Sequence, residues 1–211
     1  MPRGIRGAHD DSPGRKVSRA TFSELAQTIR ACTLCAAHLP FGPRPVLQIS
    51  PTARMLIAGQ APGRKVHDSG VPFADASGDR LREWLGLDRT TFYDAHRVAI
   101  LPMGFCYPGT GRSGDLPPRP ECATAWREKI LHEMPAIRLT LVIGQYAMAW
   151  HLGPRAQGTL TETVQAWREF SPAVWPLPHP SPRNNIWLKK NPWFTHDVLP
   201  ALRQEIRNQL A

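Results

Sequence analysis

One regularity constrains this chain more than any other. Four short apolar runs alternate with stretches whose apolar residues recur at helical spacing. The runs are Arg54–Ala58 (RMLIA), Arg97–Leu101 (RVAIL), Leu139–Ile143 (LTLVI) and Ala173–Leu177 (AVWPL). Between and after them, Leu81, Trp84 and Leu85 share one helical face. Cys122 to Leu131 and Gln145 to Leu152 read as two more helices. Val198, Leu199, Leu202 and Ile206 line one face of a last helix over Thr195 to Leu210. Apolar strands that alternate with helices pack as a mostly parallel sheet covered on both faces. The fold class expected is therefore α/β.

The flanks are read in the same way. Thr21-Phe22-Ser23-Glu24 has the form of a capping box opening a helix that ends near Cys32. Residues 36–52 carry four Pro and read as extended loop. Residues 1–19 lack apolar periodicity and hold four Arg, so they read as a basic tail before a single domain over residues 20–211. A chain of 211 residues suits one core. Its 26 Lys and Arg against 17 Asp and Glu give a net charge of +9, which points to a polyanionic partner, nucleic acid first. Four Cys are too few for a disulfide scaffold. With no apolar leader and no span of roughly 18 apolar residues, a soluble cytoplasmic protein is expected, not a membrane one.

The polar, Gly- and Pro-rich segments follow the strands directly. They are Gly59-Gln60-Ala61-Pro62-Gly63, Pro102-Met103-Gly104-Phe105-Cys106, Gly144-Gln145, and Pro178-His179-Pro180-Ser181-Pro182-Arg183-Asn184. Parallel strands deliver all four to one rim, where ligands of open α/β sheets bind. Any βα turn uses Gly and Pro, but four such loops with a rigid His-containing run favour a site.

The cysteines form two pairs, Cys32-x2-Cys35 and Cys106-x15-Cys122. Four thiolates match a four-cysteine zinc site or an iron–sulfur cluster, and the count does not choose between them. Four unrelated buried cysteines and a CxxC redox pair are the alternatives, the second without a thioredoxin-like context.

Taken together, GQAPG after the first strand, GVPFAD beginning eleven residues later, the two cysteine pairs and HPSPRN near the C-terminus resemble the uracil-DNA glycosylase superfamily. The pattern is most similar to the family-4, iron–sulfur type, while HPSPRN looks more like the single-strand-selective glycosylases. The resemblance spans about residues 22–208. It implies a three-layer α/β/α sandwich on a four-stranded parallel sheet. It also implies a structural [4Fe–4S] cluster on Cys32, Cys35, Cys106 and Cys122, with zinc as the alternative.

Base excision requires a flipped nucleotide, a base pocket, and stabilisation of the negative charge that leaves with the base. His179, framed by two prolines, suits the last task. Backbone N–H groups of Gln60 and Ala61 would face the base, and Phe73 resembles the residue that stacks on it. Family 4 has Glu where this chain has Gln60, and an acidic cluster where it has Arg64-Lys65-Val66-His67-Asp68. The water-activating candidates are thus Asp68, His67 as a base, and Gln60 as an orienter. Uracil glycosylases usually read the pyrimidine with an Asn after the second strand. This chain has Met103 and Gly104 in that region and no Asn, so a broader or different base preference is expected. The rim loops hold no Lys but Lys65, so strand-cleaving lyase chemistry is not expected.

DNA, single- or double-stranded, is the expected partner of a monomer. Arg183 lies where the family inserts a wedge. Ser181, Asn184 and the Gly144-Gln145 turn are phosphate candidates, and Lys189-Lys190 beside Trp187 and Trp193 suit strand binding. The principal rival is a non-catalytic iron–sulfur or zinc DNA-binding protein on the same fold. A covalent DNA-trapping relative would need a His in residues 153–172, which have none. A phosphoester hydrolase would need clustered carboxylates for metal.

Overall fold

The computed structural model describes residues 19–112 and 114–211. The expected tail, residues 1–19, lies outside the described residues except for Arg19, which belongs to the first helix. That helix, α1, runs Arg19–Arg30, so it begins before Thr21. A one-turn helix at Ala36–His38 follows within an otherwise extended segment.

The four apolar runs are strands. They are β1 (Met55–Ala58), β2 (Val98–Ile100), β5 (Leu139–Ile143) and β6 (Val174–Leu177). The two strands between them, β3 (Thr110–Gly111) and β4 (Gly114–Asp115), form a small antiparallel ladder of their own. The main sheet is wholly parallel, in the order β2-β1-β5-β6. The register sets Ile57 beside Ile100, Ala58 beside Val142, and Ile143 beside Leu177. All four strands therefore end at one rim. The chain winds outward from β1 to β2, then crosses to the other side of β1 for β5 and β6. The loops after β1 and β5 diverge there, which makes the crevice between them the place for a ligand.

Alternation along the strands divides the core into two layers. Met55, Ile57, Val98 and Ile100 face one cluster; Leu56, Ala99 and Leu101 face the other. The larger cluster is closed by α3 (Ala76–Leu85), α6 (Gln145–Leu152), α7 (Leu160–Gln165) and α9 (Leu199–Leu210). The smaller is closed by α1 and α5 (Pro120–His132), which contribute Ala26, Ile29, Cys122 and Ile130. Helices on both faces of the sheet make the three-layer α/β/α sandwich. Three short helices, α2 (Arg64–Ser69), α4 (Arg89–Phe92) and α8 (Asn185–Lys190), complete the chain.

The last helix departs from expectation in one place. Residues Phe194–Val198 are a π-turn that precedes α9. Pro200 has no N–H to give the carbonyl of His196, so the ladder widens there. Its predicted apolar face is nonetheless buried: Val198, Leu199, Leu202 and Ile206 are all within 3% exposure. Among the described residues no helix is long and apolar enough to cross a membrane.

Candidate active site

The rim loops enclose a cleft of about 500 Å³. Its walls carry Gln60, Ala61, Phe73, Asp75, Asp115, His179, Ser181, Arg183 and Asn184.

His179 follows β6 directly. Its Nδ1 accepts the backbone N–H of Ser181 at 3.2 Å, and its carbonyl accepts Asn184 Nδ2 at 2.7 Å. An accepting Nδ1 leaves the ring proton of the neutral imidazole on Nε2. Burial lowers the His179 pKa below the ordinary histidine value, against the opposing pull of Asp75 and Asp115. The residue is therefore a neutral N–H donor at neutral pH. Arg80 of α3 donates to the Ser181 carbonyl at 3.0 Å and ties the turn to the neighbouring helix.

Phe73 is the one described non-glycine residue with positive φ, 53°. A bulky side chain rarely adopts that conformation, and its neighbours enforce it. Tyr93 Oη donates to the carbonyls of Pro72 at 3.0 Å and Phe73 at 3.3 Å. A Cβ on Gly78 would sit 1.8 Å from the Phe73 carbonyl oxygen, so only glycine fits there. Asp75 caps α3 by accepting Gly78 N–H at 3.0 Å. The Phe73 ring lies over Gly59, about 3.6 Å from where a side chain there would begin. Its edge-on contact with Phe92, 6.2 Å between centroids, joins it to the core.

Gln60 packs its side-chain amide against Gly144, whose φ of +80° and lack of Cβ leave the room. Gly144 does not line the cleft itself, and Gln145 opens α6 in an exposed position. Met103 and Gly104 are not in the cleft either. Their N–H groups donate to the carbonyls of Gly59 and Gln60, both at 2.9 Å, and the Met103 side chain is buried. They brace the first loop; Ile100 and Pro102 form the wall in that region.

Asp68 and His67 are likewise brought elsewhere. Gly63 caps α2, and the helix turns Asp68 outward to pair with Arg64 at 2.9 Å. His67 is buried beside the stacked rings of Phe41 and Tyr107, with Nδ1 lacking a hydrogen-bond partner. The carboxylates that do reach the cleft are Asp75 and Asp115. Desolvation raises the Asp115 pKa, although Arg183 and His179 pull it down. Nothing in the local sequence of the Cys106–Cys122 loop marks Asp115. Lys189 and Lys190 are exposed on α8. Trp187 and Trp193 pack on the core, and Trp187 Nε1 donates to Thr161 Oγ1 at 2.8 Å.

The four cysteines converge although they come from three segments. Cys32, Cys35, Cys106 and Cys122 line one small pocket with Leu39, Phe105 and Arg119. None is in a disulfide. Trp126 Nε1 donates to Cys32 Sγ and Phe105 N–H to Cys122 Sγ, both at 3.3 Å. Burial pushes the Cys106 thiol up to about 11 and Cys122 up to about 12. Among the described residues no group of three or more His, Cys, Asp or Glu is set to hold a metal ion.

The protein is thus a parallel α/β/α sandwich with a buried histidine and an aromatic shelf in the cleft at its switch point. The sequence profile of the Uracil DNA glycosylase superfamily matches residues 47–203, and the chain belongs to that superfamily. Its members are typically DNA glycosylases, hydrolases that act on DNA.

Proposed function

We propose that this protein is a monofunctional DNA glycosylase that hydrolyses the N-glycosidic bond of a deaminated or damaged base in base excision repair. The observation that carries the reading is the fixed neutral tautomer of His179 at the mouth of a cleft shelved by Phe73. As the C1′–N bond breaks, its electron pair leaves with the base and charge gathers on a base oxygen. A neutral Nε2–H donates to that oxygen without the cost of reorganising solvent. Phe73, held over Gly59, offers a face on which the flipped base stacks.

The wall formed by Ile100 and Pro102 offers a base edge no side-chain amide. The cleft's two amides are engaged elsewhere, Gln60 against Gly144 and Asn184 Nδ2 on the His179 carbonyl, and a site without a paired donor and acceptor on that wall discriminates weakly among bases. The substrate range accordingly extends beyond uracil to bases such as hypoxanthine, xanthine or a modified pyrimidine. A panel of these bases in single- and double-stranded oligonucleotides tests the reading. Release of more than one base supports it; strict selectivity for uracil refutes the broad preference.

The cysteine pocket is read as the seat of a structural [4Fe–4S] cluster of the family-4 type. One zinc needs four sulfurs about 2.3 Å from a single centre. An iron–sulfur cluster takes four thiolates, which suits four thiols that line one pocket. When bound, the cluster would supply a crosslink among the segment that follows α1, the start of α5 and the loop between Cys106 and Cys122.

A further inference from the structure

The loop pinned at Cys106 and Cys122 reaches from the cysteine pocket to the cleft. Tyr107, 1% exposed, anchors its start. Its tip is the β3–β4 ladder, with Thr110 opposite Asp115 and Gly111 opposite Gly114. Leu116 N–H donates to the Gly109 carbonyl at 2.8 Å, which closes the turn. A side chain on Gly104 would begin 3.0 Å from Pro118, so the returning segment is seated closely on the rim.

This tip touches both rim motifs. Asp115 Oδ2 lies 3.4 Å from the position a side chain on Gly63 would take, against the GQAPG turn. Arg183 Nη1 lies over Gly114, where a Cβ would be 2.5 Å away. The loop therefore sets one carboxylate between the GQAPG and HPSPRN segments. The second cleft carboxylate, Asp75, is committed to capping α3. The acidic residue nearest in sequence to GQAPG, Asp68, is paired outside the cleft.

We propose that Asp115 is the carboxylate that orients and deprotonates the attacking water, and that the cysteine-pinned loop exists to deliver it. The inference rests on the glycosylase reading. In the step, the C1′–N bond breaks and its electron pair goes to the base, while the sugar gains positive charge that Asp115 stabilises. A water oxygen bonds to C1′, and Asp115 takes one water proton and releases it to solvent. The base anion takes up a solvent proton, so the products are free base and an abasic sugar.

The charged and titratable groups facing Asp115 are Arg183, His179, Asp75 and Tyr107. Asp115 is exposed to solvent on β4, yet partial desolvation at the cleft wall holds its pKa above the usual carboxylate value, so the acid limb of the rate profile is assigned to Asp115. Below that pKa the carboxylate is protonated and cannot accept.

The test is single-turnover release of base from an oligonucleotide that the wild-type protein cleaves, with binding measured separately. Asp115→Asn should lower the rate about 100-fold. It should keep or tighten DNA binding and lose the acid limb. Asp115→Glu should restore part of the rate. An Asp115→Asn rate within about threefold of wild type, or an unchanged acid limb, would overturn the assignment while leaving the glycosylase reading intact. Release of no base by wild type would remove both.

Discussion

Ser181 donates its backbone N–H to Nδ1 of His179, two residues before it, at 3.2 Å. This local bond decides which ring nitrogen carries the proton facing the cleft. Ser181 has φ −58° and ψ 142°, values proline adopts, so proline there removes the bond and sets its Cδ in place of the N–H, pushing the His179 ring off that contact. Ser181→Pro deletes the N–H, and Ser181→Ala keeps it; both lose the hydroxyl. Excision should fall about tenfold in Ser181→Pro beyond any effect of Ser181→Ala, the size of one hydrogen bond's contribution. Nitrogen NMR of the His179 ring should show mixed tautomers only in the proline variant. Equal rates in the two variants would separate the bond from catalysis.

The strained shelf gives a second prediction. A methyl group on Gly78 would collide with the Phe73 carbonyl, so Phe73 would have to leave its left-handed conformation. Gly78→Ala should cost on the order of 3 kcal/mol, and about 10 °C in Tm for a chain of this size. KM for the damaged strand should rise as the ring shifts. A variant with unchanged Tm would show that the turn relaxes freely.

Much of this arrangement was legible in the chain, and the reasons differ by element. Leu139–Ile143 and Gln145–Leu152 have the predicted bounds because a parallel strand buried at all but Thr140 and a compact helix each leave a largely apolar signature. The cysteine pairs and the rim loops were readable because parallel strands carry whatever follows them to one edge. The β3–β4 tip was not, since two-residue strands of Thr, Gly and Asp have no apolar alternation to read. Helix α7 did carry a signal: Thr159 and Glu162 form a reciprocal capping box. Proximity in sequence pointed to Asp68, but one helical turn aims it at Arg64 and solvent. Met103 and Gly104 sit where a base reader belongs, yet their N–H groups are consumed by the carbonyls of Gly59 and Gln60. Such exchanges between loops leave no mark in a linear sequence.

Acid should destabilise the fold through a buried pair behind the site. Arg127, wholly buried, donates to the carbonyls of Leu101 and Pro102 at 3.1 and 3.0 Å and to His151 Nε2 at 2.7 Å. Burial, then the Arg127 charge, lower the His151 pKa to about 3. The unfolded chain binds a proton at this residue below about pH 6.5, and the folded chain does not. Stability is thus fully present above that pH and declines as pH falls toward 3. Urea midpoints measured from pH 7.5 to 4.5 should drop, and His151→Gln, which keeps an acceptor without titrating, should flatten the decline. An identical slope in the variant would exclude His151 as the source.

The cysteine pocket predicts a brown protein after anaerobic purification, with about four iron atoms per chain. Cys122→Ser should lose the colour and destabilise the chain, because α5 and the loop would no longer be tied. A colourless protein with one zinc per chain would contradict the cluster.

The role assigned to His179 is to supply the donor for a leaving base. It is tested most directly by single-turnover release from a uracil-containing single strand, comparing wild type with His179→Ala. The donor's loss should slow release about 100- to 1,000-fold, with strand binding retained and His179→Gln partly active. Release by His179→Ala at the wild-type rate would contradict the claim.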